Sequence, residues 1–436
     1  MKKLIPASFW ILLMVDCTGG SITAPSMTPA GKETVATVTP TQKVASLQLT
    51  ASMIGTAVPS STDTPEVYQV TEWQEPAEVI TAENMDRVGR IGRIDFPARI
   101  IMVAWSPDES VMGISLGPIV YIVDPISFEK RLQIDGDYYI AFSPDGKVLQ
   151  NGGRRFDAIT GEEFTSNGGF TAWKGSWTDA AYSPDGEYFV ICGTSNCLIG
   201  YRKPEIPVSP FGRPSLEQLH VNTSPDSRFL AVNYAFADYT ELWDPYRVRP
   251  VRKFALQGIS AKGKPRFSAD GKSLFVTGRG IWEEKPASYL QEWDYSSGKP
   301  LSVQLLPEIV VDWGRSMDVS PVSDVIAFGA ESGGVFVVKN RDCHAIKVGV
   351  SAIGSYIDQV VFHPNGKMFA TIEYENHGIE LWGIPAANQG TPVNTPTVVA
   401  DETPSACPKI PMIAENITPE DGWSGFTLPT LTQKPN

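Results

Sequence analysis

The sequence predicts an all-β fold, a seven-bladed β-propeller flanked by a disordered N-terminal stalk and a C-terminal tail. Three observations carry that reading. First, a short stretch, Ala104-Trp105-Ser106-Pro107-Asp108, returns six more times with variation: AFSPDGK from Ala141, AYSPDGE from Ala181, NTSPDSR from Asn222, RFSADGK from Arg266, DVSPVSD from Asp318 and VFHPNGK from Val361. Its anchor positions are Ser106, Ser143, Ser183, Ser224, Ser268, Ser320 and His363, with steps of 37, 40, 41, 44, 52 and 43 residues. A period near that length, each unit a run of short strands, is the signature of propeller blades, and seven copies mean seven blades. Second, aromatic and β-branched residues punctuated by Gly, Pro, Asp and Asn fill the middle of the chain, as many short strands require. Third, helical periodicity is nearly absent.

The chain begins with Lys2 and Lys3, then an apolar run from Leu4 to Val15 that ends in Asp16-Cys17. A basic start and an apolar run of this length form a signal peptide, too short to span a bilayer. Residues 1–17 are therefore assigned to it, and an extracytoplasmic location is expected. The Cys directly after the run resembles that of bacterial lipoproteins. In that family the cleaved Cys carries acyl chains, which implies lipidation of Cys17 and a protein held at the cell surface. Asp16 and Met14 depart from the family's usual residues, so free secretion stays open. Residues 18–80 are rich in Thr, Ser and Pro, with no aromatic residue between Trp10 and Tyr68. Such a segment buries too little apolar surface to offset its ordering entropy and is read as a flexible stalk. The end of the stalk grades into the fold, with one helical turn expected at Thr81 to Asp86. The propeller is placed at 81–384 and a mostly disordered tail at 385–436.

Within the first repeat, Arg99 to Trp105 is nearly continuously apolar, which suits an inner strand buried on both faces. Pro107-Asp108 turns the chain. Val111 to Leu116 and Ile119 to Val123 follow as strands, the latter ended by Asp124. Phe128 to Ile134 alternates apolar and charged residues, as an outer edge strand does. Third strands ending in an aromatic and an acid recur at Trp243-Asp244 and Trp293-Asp294, with weaker forms at Phe156-Asp157 and Trp382-Gly383. On these endings and the SPDG-like turns, residues 80 to 384 resemble WD40 repeats, in particular those of secreted bacterial WD40-repeat lipoproteins. The Gly-His dipeptide that opens typical repeats is missing, so the usual Asp-His-Ser-Trp bracing tetrad is not expected. After Trp382 no outer strand remains for blade 7, whereas Arg87 to Asp95 precedes blade 1 without a blade of its own. The expected closure is a pairing of this segment with residues 378 to 382.

The net charge of -13 excludes a nucleic-acid partner, which needs a basic field. His220, His344, His363 and His377 are scattered with no metal-ligand spacing, so no metal site is expected. No HExxH or phosphate loop occurs, so no catalytic residue and no cofactor are assigned. Cys192 and Cys197 flank four residues between strand-like runs, which sets them opposite each other at bridging distance. Cys343 and Cys407 either pin the tail to blade 6 or stay as free thiols. The outer-to-inner and second-to-third connections share one face and carry aromatics. Trp173, Trp282, Trp313 and Tyr356 are the candidate ligand-binding residues there, since loop aromatics on a rigid scaffold anchor ligands; the plainer alternative is that they pack on neighbouring loops. Three functions follow as expectations. The WD40 resemblance implies a non-catalytic scaffold for a protein or peptide partner, touching a membrane only through its lipid anchor. A carbohydrate- or cell-wall-binding module is the alternative, and an enzyme using acids at the channel mouth is a third.

Overall fold

The computed structural model describes residues 68–164, 177–194, 196–203, 206–212, 219–234, 237, 239–255, 259–282, 284–306, 316–342, 345–352, 354–374 and 377–386. Their strands form seven antiparallel sheets, one for each copy of the turn motif. Blade 1 is Met102–Trp105, Met112–Ser115, Ile119–Val123 and Lys130–Asp135 in order of pairing, and blades 3 to 6 repeat this meander. Blade 2 has three strands, with Phe156 bridged to Glu163 at its edge. The inner strands follow one another around a ring, and Ile357–Phe362 of blade 7 returns to lie against Met102–Trp105 of blade 1. The fold is thus a seven-bladed β-propeller of WD40-like architecture.

The motif works as a local hydrogen-bond circuit. The Ser hydroxyl oxygen accepts the backbone N–H five residues on: Val111 N to Ser106 Oγ at 2.9 Å, Val148 N to Ser143 Oγ at 2.9 Å and Phe229 N to Ser224 Oγ at 2.9 Å. The Asp two residues after the Ser accepts that hydroxyl, at 2.6 Å for Ser143 and Asp145, and caps the following amide. Hydrogen bonding to Ser143, partly opposed by burial, holds the Asp145 carboxyl below its ordinary range. Where a third strand ends in an acid, that acid caps in the same way. Asp124 accepts the amides of Ile126 and Ser127, and Asp294 those of Ser296 and Ser297. Both acids of the repeat are therefore structural.

The tryptophans at strand positions are core. Trp243, Trp293 and Trp382 are fully buried, and Trp105 nearly so. In place of the absent tetrad, the Trp382 indole N–H donates to Thr371 Oγ1 at 2.9 Å, and that of Trp243 to Glu241 Oε2 at 3.0 Å. Side chains on the inner strands latch neighbouring blades. Asp179 accepts the Val221 amide at 3.1 Å and Asp318 the Phe362 amide at 2.8 Å, while Gln359 exchanges two hydrogen bonds with the Val103 backbone.

The ring closes through Gly89–Asp95, which pairs antiparallel with Gly378–Gly383 and places Arg93 opposite Glu380. This is the outer strand that the C-terminal end lacks. The last sheet includes residues before position 81. Gln69–Thr71 adds a fifth strand to the last sheet and Ile80 is fully buried. That strand, Gln-Val-Thr, is exposed throughout, so no apolar alternation marks it. The helical turn is a 3-10 turn at Met85–Arg87 rather than 81–86. Phe128 is not in the outer strand, which begins at Lys130; it takes a left-handed φ of 57° and plugs the core of blade 1.

At the closing seam His363 stands where the other turns have Ser. Its Nδ1 accepts the Asn365 amide at 3.3 Å, and its ring lies edge-on to Trp105 with centroids 4.7 Å apart. Burial pushes its pKa below the usual 6.5, with Glu109 and Asn365 opposing. The folded state therefore prefers the neutral ring, and its stability is present in full above pH 6.5 and lost as pH falls below that value. Stability measured by urea unfolding from pH 7.5 to 5 should fall more steeply for the wild type than for His363→Ser, which restores the motif's own residue. Deletion of residues 80–95 should abolish cooperative thermal unfolding measured by circular dichroism, because it opens the ring; a deletion product that still melts in one sharp transition would falsify closure as the main constraint.

Candidate functional site

In an antiparallel meander the second-to-third and outer-to-next-inner connections share one end of every blade. On this loop face blade 5 departs from its neighbours. The stretch around Trp282, Gly280 to Lys285, is mostly strand: Ser273–Trp282 and Lys285–Asp294 pair as ten-residue arms, with Trp282 opposite Lys285. Ile281 is 66 % exposed on this hairpin. Trp282 thus belongs to the hairpin tip by its backbone, while its side chain lies outside what is described. Trp173 and Trp313 lie outside the described residues, as do Cys17, Cys343 and Cys407. Cys192 and Cys197 are joined by a disulfide across the hairpin of blade 3, their Cα atoms 4.0 Å apart.

Tyr356 is the candidate whose surroundings are described. It is half-buried on the connection from blade 6 to blade 7. Its carbonyl oxygen accepts the Tyr374 amide at 2.9 Å, and the two rings lie 6.1 Å apart at 52°. Tyr374 is 46 % exposed, and the exposed Arg99 lies over its ring at 4.0 Å from the centroid. These three residues come from three different connections. Sequence reasoning missed Tyr374 and Arg99; the signal available was that both flank strand ends on the same face as Tyr356.

Two buried carboxylates hold this connection. Glu373 accepts the Ser351 hydroxyl and, at 3.2 Å, the Ser355 amide. Glu380 accepts the Ala352 amide at 3.0 Å and meets Arg93 at 3.2 Å and Arg90 at 3.3 Å. Burial pushes the Glu380 pKa up, and this outweighs the opposing pull of Arg90, the Ala352 amide and Arg93.

Acids on the inner strands are paired. Asp179, fully buried, meets Lys264 at 2.8 Å across from blade 3 to blade 5, and Asp318 meets Arg266 at 2.9 Å. Among the described residues no group of three or more His, Cys, Asp or Glu is placed to hold a metal ion.

No model of a known protein family matches the chain, and no curated protein matches it in sequence. Solved structures do match. Hydrazine synthase of Kuenenia stuttgartiensis aligns with a TM-score of 0.51 at 15% identity, covering 66% of this chain and 96% of that one. The β-propeller domain of Cps50 (Swd1) from Myceliophteria thermophila aligns with a TM-score of 0.52 at 10% identity, covering 71% of this chain and 99% of that one. At such identities the likeness speaks for the fold. The chain has the fold of a seven-bladed β-propeller.

Because the tyrosines are surface groups and Glu373 is an anchor, their substitutions should separate. The double variant Tyr356→Ala/Tyr374→Ala is expected to stay within about 1 kcal/mol of wild type in urea unfolding. Glu373→Ala, which strips the acceptor from a buried hydroxyl and an amide, should cost about 1–3 kcal/mol.

Proposed function

We propose that this protein is a non-catalytic, extracytoplasmic scaffold, tethered through lipid on Cys17, that binds a protein or peptide partner on its loop face. The observation that carries the reading is the Arg99–Tyr374–Tyr356 cluster: an exposed aromatic with a guanidinium over it, braced from below by buried Glu373. Tyr and Arg are the side chains that anchor protein interfaces. The Arg99 guanidinium occupies the face of Tyr374 on which a sugar ring would stack, which favours a protein partner over a glycan. The pairing of Asp179 with Lys264 and of Asp318 with Arg266 supports the non-catalytic part, since neither acid is free to act on a substrate. The leader segment supports the location.

The test has two arms on intact cells. A palmitate analogue should label wild type but not Cys17→Ser, and only wild type should fractionate with the membrane. A photo-cross-linking amino acid in place of Tyr374 should capture a discrete protein adduct. That adduct should fall at least fivefold when Arg99→Ala is added. A label that persists in Cys17→Ser sinks the tether, and a cross-linker that captures only glycan or no adduct sinks the loop-face reading.

A further inference from the structure

The opposite face, where the motif turns lie, has one seam unlike the others. In two seams the Pro of one turn packs against the Gly of the next: a side chain at Gly186 would meet the Pro144 ring at 3.7 Å, and one at Gly271 would meet Pro225 at 3.9 Å. Where Ser227 replaces the Gly, hydrogen bonds close the seam instead, with the Asp185 amide donating to Ser227 Oγ at 3.0 Å. Between blades 5 and 6 both packing residues are changed. Ala269 stands in place of Pro, and Ser323 in place of Gly, with its hydroxyl turned away to the Ile80 carbonyl at 2.8 Å. A cleft of about 810 Å³ remains. That is within the range of about 300–1,000 Å³ in which ligand sites fall.

The cleft is chemically distinctive. Phe275, Ile326 and Leu301 form apolar walls. The side chain of Glu292 is 2 % exposed and stands at the register occupied by Leu242 in blade 4, since both precede a Trp at the same bulge. Its carboxylate accepts the Ser273 hydroxyl at 2.6 Å and the Ser302 hydroxyl at 3.1 Å, and leaving it unpaired would be costly. Arg341 from blade 6 reaches in with a left-handed φ of 62° and binds Glu292 through two nitrogens at 2.8 and 3.0 Å, although its own side chain is 60 % exposed. Asn340 Oδ1 is buried with no hydrogen-bond partner among the described residues, a spare acceptor. Asp270, Asp294 and Asp324 complete the lining, so four carboxylates face Lys272 and Arg341.

We propose that this cleft is a second binding site, for an extended peptide segment that inserts a basic side chain. The methylenes of an inserted Lys or Arg would lie along Phe275 and Ile326, and its N–H groups would find Asn340 Oδ1 and the rim carboxylates. The arrangement already holds one such cation, Arg341. An acidic peptide meets four carboxylates and is repelled. The site is on the face opposite Tyr356, so it stands or falls independently of the loop-face reading.

Fluorescence anisotropy on the full chain tests it, with two pools of fluorescein-labelled hexapeptides: one with Arg or Lys between apolar flanks, the other with Glu at that position. The basic pool should bind at least tenfold more tightly. Asp324→Arg, which reverses an exposed rim charge, and Ala269→Trp, which fills the opening and keeps the charge, should each weaken it tenfold or more at an unchanged melting temperature. Tyr374→Ala should leave it unchanged. Equal binding of the two pools, or binding indifferent to both cleft variants, overturns the proposal.

Discussion

Everything in this molecule depends on one strand pairing made by residues far apart in sequence. Gly89–Asp95 supplies the outer strand that the last blade lacks, so the first and last parts of the described chain close one sheet. A propeller has no central element to nucleate on; each blade buries its faces against two neighbours. If the ring stays open, the end blades expose an apolar face and an unpaired edge. The latches on the inner strands, such as Gln359 on the Val103 backbone, then have partners only because the ring is closed.

The repeated turns divide the work differently. Five of the seven combine a Ser hydroxyl, an Asp carboxylate and a few amides, and the last uses His363 and Asn365 instead, all within one turn. Contacts between turns are left to whatever residue follows, and they vary: a Gly against a Pro ring, a Ser hydroxyl on a neighbouring amide, an Asn365–Glu109 hydrogen bond at 3.2 Å. Identical local structure with variable seams lets one interface open into a cleft while its neighbours stay shut. The two buried indole pairs, Trp382 on Thr371 and Trp243 on Glu241, differ between blades in the same way.

The blade count and the turns were legible because their cause is local. Ser143, Asp145 and the Val148 amide are within five residues, and composition reports them directly. The closing strand was legible by subtraction, from a missing strand at one end and a spare one at the other. Elements whose cause is distant were not. Gln69–Thr71 is held by a partner strand and carries no pattern of its own. Phe128 reads as a strand residue until the left-handed turn beside Asp124 is seen. At the candidate site, Tyr356 was marked by its residue type, but Tyr374 and Arg99 meet it only through folding, from connections that are far apart in sequence. Glu292 and Arg341 are 49 positions apart and neither looks unusual in its own repeat.

The three-residue strand Gln69–Thr71 has a mechanical meaning. It runs parallel to Gly378–Gly383, with Gly89–Asp95 between them, so the chain enters beside Asp95 and leaves beside Gly89. A pull on the two ends is directed along the strands and loads the ladder bonds together, in shear. With Gln69–Thr71 lifted, the load would pass next to the backbone bonds of Gln74, Ala77 and Ile80, and only then to the closing pair. A three-residue strand thus takes the first share of any tension that reaches the ring.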